Sequence, residues 1–264
     1  VPDDAKDVDL PHDAMFEEEQ KQGAVNGGFT GNIDAGEYKY YKRFFVPKEY
    51  EGGHVMLQFE GIYRNASVFI NQSKVGGSAY GYTDFTVEAG DYLRYGEEND
   101  VLVAVKCGTR SSRWYSGAGI YRDVYLIHGG SIYVKPYGLR FTTLETDDDG
   151  ALVRVSAEVH NDSLTACTLK AAVTIKDSQG QTVSEFTYPV RINSRQTLDF
   201  RKNIYIDHAK LWDEWEPNLY TVVLAVADES GKQLDVTEIT SGIRRLSLDS
   251  RHGLRVNGNT VKLR

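Results

Sequence analysis

The 264 residues carry 30 Lys and Arg against 38 Asp and Glu, a net charge of −8, and lack the clustered basic surface that a nucleic-acid partner requires. They are 41% hydrophobic, yet no apolar run approaches the roughly 20 residues of a membrane-spanning helix, so the composition is that of a soluble globular chain. The length suits two domains of roughly 100 to 200 residues better than one.

The chain opens on VPDDAKDVD, which has neither the basic start nor the apolar stretch of a secretory leader; this favours a cytoplasmic place without fixing it. Glu17-Glu18-Glu19 reads as a solvated loop. The stretch from Asn26 to Gly36, NGGFTGNIDAG, is a glycine-rich loop able to present Asn26 and Asn32 to a ligand. Strands are then predicted at Tyr38 to Val46, His54 to Glu60, Ala66 to Asn71, Val101 to Cys107 and Asp123 to His128. Each is rich in Val, Ile, Tyr or Phe and bounded by Gly, Asn, Asp or Ser. Long glycine-bearing loops between them suggest a jelly-roll sandwich.

Gly129-Gly130, followed by Pro136 and Gly138, marks a domain boundary. Beyond it Val153, Val155, Ala157 and Val159 alternate with Arg154, Ser156, Glu158 and His160, the period of a strand with one buried face. Asp147-Asp148-Asp149 is a second solvated loop. Further strands are expected at Thr168 to Lys176 and Leu219 to Asp228. Asp177-Ser178-Gln179-Gly180, Asp228-Glu229-Ser230-Gly231 and Asn257-Gly258-Asn259 supply the turn residues of hairpins. Even spacing and short turns suggest an immunoglobulin-like sandwich, with Trp212 and Trp215 covering its end. The fold class is therefore all-β, two sandwiches over residues 1–130 and 131–242, with a linker and hairpin over 243–264.

Chemistry is sparse. Cys107 and Cys167 fall in different predicted domains and read as buried free thiols. His12, His54, His128, His160, His208 and His252 are scattered singly, with no HExxH and no zinc spacing, so no metal is expected. Gly117-Ala118-Gly119 lacks the serine of a GxSxG elbow, and neither a Walker loop nor a GxGxxG fingerprint occurs. No cofactor is expected.

DLPHD (Asp9 to Asp13), YKYYKRFFVP (38–47), FEGIYRNASVFIN (59–71), GYTDFTVEAG (81–90) and RWYSGAGIYRDVYL (113–126) together resemble the sugar-binding domain of family 2 glycoside hydrolases, in order and spacing. LWDEWEPNLYTV (211–222) is similar to a segment of that family's immunoglobulin-like domain. GIRRLSLDSRHGLRVNGNTVKLR (242–264) resembles its hairpin at the entrance to a (β/α)₈ catalytic barrel. The chain departs from the family at Ala14, where Trp is common, and at Gly36-Glu37-Tyr38, where Gly-Trp-Tyr is common.

The resemblance implies the front part of a β-galactosidase-like enzyme acting on terminal β-galactosides. Both catalytic carboxylates would lie beyond Arg264, so the chain alone would be inactive. It places the loop of Arg113, Trp114 and Tyr115 near the active-site mouth. There the guanidinium could fix a sugar hydroxyl or carboxylate and the rings could stack on a pyranose; packing against the barrel is the alternative role. The implied partners are carbohydrate and the chain's own barrel, with homo-oligomers left open. Competing readings are a β-glucuronidase or β-mannosidase fragment, a stand-alone carbohydrate-binding module and a purely structural sandwich array; the hairpin argues against a free module.

Overall fold

The computed structural model describes residues 5–108 and 114–263. Two compact units divide the chain, Val1–His128 and Gly129–Arg264.

The first unit holds β1 (Glu37–Val46), β2 (His54–Phe59), β3 (Ile62–Tyr63), β4 (Ala66–Ile70), β5 (Ser73–Ser78), β6 (Phe85–Glu88), β7 (Glu97–Lys106), β8 (Gly119–Ile120) and β9 (Val124–Gly129). One sheet runs β1-β7-β4-β5, a second β6-β2-β9, and β3 pairs with β8. β1 and β7 are antiparallel from Glu37↔Lys106 to Val46↔Glu97. Alternation along β1 turns Tyr38, Tyr40 and Phe44 toward the core, while Lys39, Tyr41 and Arg43 stay outside. Lys39, Lys42 and Arg43 on this edge strand discourage pairing with a foreign strand.

Val46, Val68, Ile70, Val103 and Val105 of the first sheet share one core with Val55, Leu57, Phe59 and Val87 of the second. Phe59 stacks on Phe85 at 5.0 Å between centroids. Asn99, 1% exposed, is the buried polar exception and has every bond made. Its oxygen accepts from Asn71 Nδ2 and Arg94 N, and its amide donates to Arg94 O and Glu97 O.

The second unit holds β10 (Ile132–Val134), β11 (Arg140–Thr146), β12 (Gly150–Asn161), β13 (Cys167–Lys176), β14 (Thr182–Ile192), β15 (Gln196–Asp207), β16 (Tyr220–Asp228), β17 (Gln233–Ser241), β18 (Leu246–Asp249), β19 (Gly253–Val256) and β20 (Asn259–Thr260). β12 pairs with β10, β11 and β15; the facing sheet runs β14-β13-β16-β17; and β18-β19-β20 form a small C-terminal sheet. The predicted alternation sets the core: Ala151, Val153, Val155, Ala157 and Val159 pack with Leu169, Ala171, Val173, Ile175, Val222, Leu224 and Val226. Each buried Val, Leu or Ile contributes about 1.5–3 kcal/mol relative to exposure.

The predicted turns close the expected hairpins. Asp177 Oδ1 accepts from Gln179 N and Gln181 N between β13 and β14, and Asp228 Oδ1 accepts from Lys232 N between β16 and β17. Asn257 and Gly258 take φ of 51° and 84° between β19 and β20, the positive pair of a type I′ turn.

Three expectations need correction. The strand predicted at Val101 starts at Glu97: the charged residues Glu97 and Glu98 are both exposed at this end of the strand while their backbones pair with β1. Cys107 is buried but Cys167 only half-buried; both are free. Trp215 does not cover the sandwich: it is 85% exposed, in a turn where Asp213 Oδ1 accepts from Trp215 N and Glu216 N. Trp212 alone packs inward, with the Arg244 guanidinium 4.4 Å from its ring centroid and Gly242 leaving room for the indole. Among the described residues no helix is long and apolar enough to cross a membrane.

Candidate functional site

Two motifs a hundred residues apart meet at Asp13. This residue caps a short 3₁₀ turn, Ala14–Glu17, through Oδ1, which accepts from Met15 N at 3.0 Å. The same oxygen accepts from Ala118 N at 2.9 Å, and Oδ2 accepts from the Tyr115 hydroxyl at 2.8 Å. Backbone bonds from His12 N to Ile120 O and from Ala14 N to Ala118 O, both 2.7 Å, complete the seam. β8 continues it by pairing Ile120 with Ile62 and Gly119 with Tyr63.

Glycine is required here. Gly117 and Gly119 have φ of 68° and 117°. A Cβ on Gly117 would stand 2.9 Å from Asp13 Oδ2, and one on Gly119 would land on the Tyr40 hydroxyl. That hydroxyl bonds His12 Nδ1 at 2.8 Å, and His12 Nε2 lies 3.2 Å from Glu17 Oε1. Bonds from Lys6 and then His12 hold the Glu17 carboxyl below its ordinary range.

The structure splits the predicted triplet. Arg113 lies outside the described residues. Tyr115 turns to Asp13, and Trp114 turns away to donate from Nε1 to the Tyr82 hydroxyl at 3.2 Å. Tyr82 also meets Tyr63 and Tyr80, with centroids at 5.3 and 5.6 Å. The Tyr121 hydroxyl donates to Gly81 O at 2.7 Å, and a Cβ on Gly81 would strike the Tyr63 ring. The GYTDF and RWYSGAG motifs thus build one aromatic cluster. The glycine-rich loop folds on itself instead, Asn32 N donating to Gly27 O and Val25 N to Asp34 Oδ1.

Sequence reasoning singled out these motifs but missed Asp13, Tyr80 and Tyr82 as site residues. Motif order shows that segments matter; it does not show which side chains cross between them. The arrangement offers aromatic faces and hydroxyls, with its carboxylate already held by three donors, which is chemistry for holding a ligand. Among the described residues no group of three or more His, Cys, Asp or Glu could bind a metal.

Burial, the first cause in each case, pushes the Tyr38 and Tyr40 hydroxyls up to about 12; Glu18 adds to the rise at Tyr38 and Asp13 to that at Tyr40. The unfolded chain ionises these phenols near their ordinary value of about 10 and the folded chain does not. Their neutral state therefore supports the fold in full below about pH 10, and that support is lost as pH rises to about 12. An ultraviolet alkaline titration should show Tyr38→Phe and Tyr40→Phe each removing one late-ionising phenol; loss of an ordinary phenol instead would contradict this assignment.

The profile described as Glycosyl hydrolases family 2, sugar binding domain, matches residues 20–130, and that described as Glycosyl hydrolases family 2 matches 133–244. The chain belongs to glycosyl hydrolase family 2. Within family 2, beta-galactosidase BoGH2A of Bacteroides ovatus is 33% identical over 257 residues, 97% of this chain and 30% of that protein. A beta-glucuronidase of Formosa agariphila is 27% identical over 247 residues, 85% of this chain and 25% of that protein. The crystal structure of a family 2 member from Bacteroides cellulosilyticus matches with a TM-score of 0.87 at 28% identity, covering 97% of this chain and 34% of that one. The chain thus spans about a third or less of the length of these family 2 relatives.

Proposed function

We propose that this chain is the non-catalytic front of a retaining glycoside hydrolase that removes terminal β-galactosides. Its two bond-breaking carboxylates would belong to a (β/α)₈ barrel on polypeptide outside these 264 residues. Residues 1–130 serve as the sugar-binding-like domain, 131–242 as the immunoglobulin-like spacer and 243–264 as the hairpin that meets the barrel. The observation that carries this reading is the pair of family 2 matches, end to end over both units. Of the two relatives named above, the β-galactosidase shares the larger fraction of identical residues, which supports galactoside over glucuronide. The loop of Arg113, Trp114 and Tyr115 edges the substrate entrance, with Trp114 exposed for contact and Tyr115 holding the loop to Asp13.

Chromogenic β-galactosides, β-glucuronides and β-mannosides, offered to this chain and to a longer polypeptide from the same gene, test the reading. The longer form is expected to cleave the galactoside with kcat/KM about 100-fold above the others, and the 264-residue chain to cleave none. In the longer form Arg113→Ala should lower kcat/KM about tenfold, roughly 1.4 kcal/mol of transition-state binding, at unchanged Tm. Hydrolysis by the short chain, or preference for glucuronide in the long one, would overturn the reading.

A further inference from the structure

The first sandwich does not close between β1 and β9. Phe44 of β1, Val101 of β7 and Val124 of β9 pack against its core yet stay half-buried. Leu126 shares a strand face with Val124 and is 36% exposed. These side chains, with the buried Leu57, Phe59 and Val103, line a cavity of about 700 Å³.

The two strands that flank the opening are edges of their sheets, but only one is defended. β1 carries Lys39, Lys42 and Arg43, whereas β9 has no charged residue from Val124 to Ile127 and exposes Tyr125, Leu126 and Ile127 together. Every second N–H and C=O of an edge strand faces away from its sheet and templates a further strand, so native proteins cover or charge such edges. A small apolar molecule could fill the volume. It could not answer a row of backbone donors and acceptors, which only another backbone matches in spacing.

We propose that β9 is an inner strand of the complete protein, and that the polypeptide preceding Val1 supplies its neighbour. That neighbour is an apolar β-strand matching the six residues of β9, paired with β9 and turning alternate side chains into the cavity beside Phe44 and Leu126. The tether favours this occupant over a second copy. Val8 and Leu10 already line the cavity, so a segment preceding them starts alongside it, at an effective concentration far above that of a separate molecule. The inference shares with the proposed function only the premise of a longer polypeptide, which the 30% coverage of the Bacteroides ovatus relative supports.

Hydrogen–deuterium exchange on three forms tests it: this chain, the chain extended by its gene only upstream of Val1, and the chain extended only downstream of Arg264. The β9 amides that point away from β2 should exchange about 100-fold more slowly in the upstream form than in the other two. Leu126→Asp should abolish that protection in the upstream form, yet shift the Tm of this chain by no more than about 4 °C, because Leu126 already meets water here. A reading frame that starts at Val1, or no added protection in the upstream form, would overturn the proposal. So would protection from the downstream extension alone, which assigns the edge to the barrel side, or protection in this chain that grows with its concentration, which assigns it to a second copy. Glycoside cleavage is read separately, so the failure of either reading leaves the other standing.

Discussion

Asn161→Ala is expected to destabilise the second unit by about 3 kcal/mol, since an unmet buried donor or acceptor costs about 1–3 kcal/mol. Asn161 ends β12 with no exposed surface. Its Nδ2 donates to Thr165 O at 2.8 Å and Asn193 O at 3.2 Å, and its Oδ1 accepts from Ser163 N at 3.0 Å and Ser163 Oγ at 2.7 Å. One side chain thereby closes the β12–β13 turn and ties it to the start of the β14–β15 turn. Alanine fills less of the space and leaves backbone groups on both turns unpaired. Thermal unfolding should show the loss as a Tm about 12–24 °C lower for the second unit, at roughly 4–8 °C per kcal/mol for a domain of about 100 residues. Ser163→Ala, which removes only a hydroxyl, should cost about 1 kcal/mol. Equal effects from the two substitutions would place the cost elsewhere than at the Asn161 amide.

Asn161 also shows where reading a sequence stops. Its strand was legible, because Val153 to Val159 alternate and alternation encodes a buried face directly. β15 and β17 were not, since Thr197 to Asp207 and Leu234 to Ser241 are largely polar and their order comes from the ladders to β12 and β16. β14 contains Pro189, which reads as a break. It is tolerated because β14 is an edge strand with one open side. Family 2 membership was legible from motif order. The site was legible only as segments: Trp114 and Tyr115 are adjacent in sequence but bond to Tyr82 and Asp13, a divergence that has no linear signature.

That divergence makes Asp13 the residue on which the site geometry turns. Asp13→Ala removes an acceptor from Met15 N, Ala118 N and the Tyr115 hydroxyl at once. With hydrogen bonds to a charged group worth about 1.5–3 kcal/mol each, discounted for partial exposure, the first unit should lose about 3 kcal/mol. Asp13→Asn should recover most of this, because the amide oxygen can still accept from both backbone N–H groups while the amide nitrogen donates to the Tyr115 oxygen. The clamp has a second readout. Burial first, and then the bond to Asp13, raise the Tyr115 hydroxyl well above the ordinary phenol range. Losing the Asp13 charge should bring it down toward that range in both variants, and further in Asp13→Asn, whose amide N–H stabilises the phenolate. Packing alone could explain a lower Tm, but it could not explain a Tyr115 titration that follows the charge at position 13. A double-mutant cycle with Tyr115→Phe should give a coupling of about 1 kcal/mol. If the two changes were additive, and Tyr115 ionised late without Asp13, the loop carrying Trp114 would be held by the glycine turn alone.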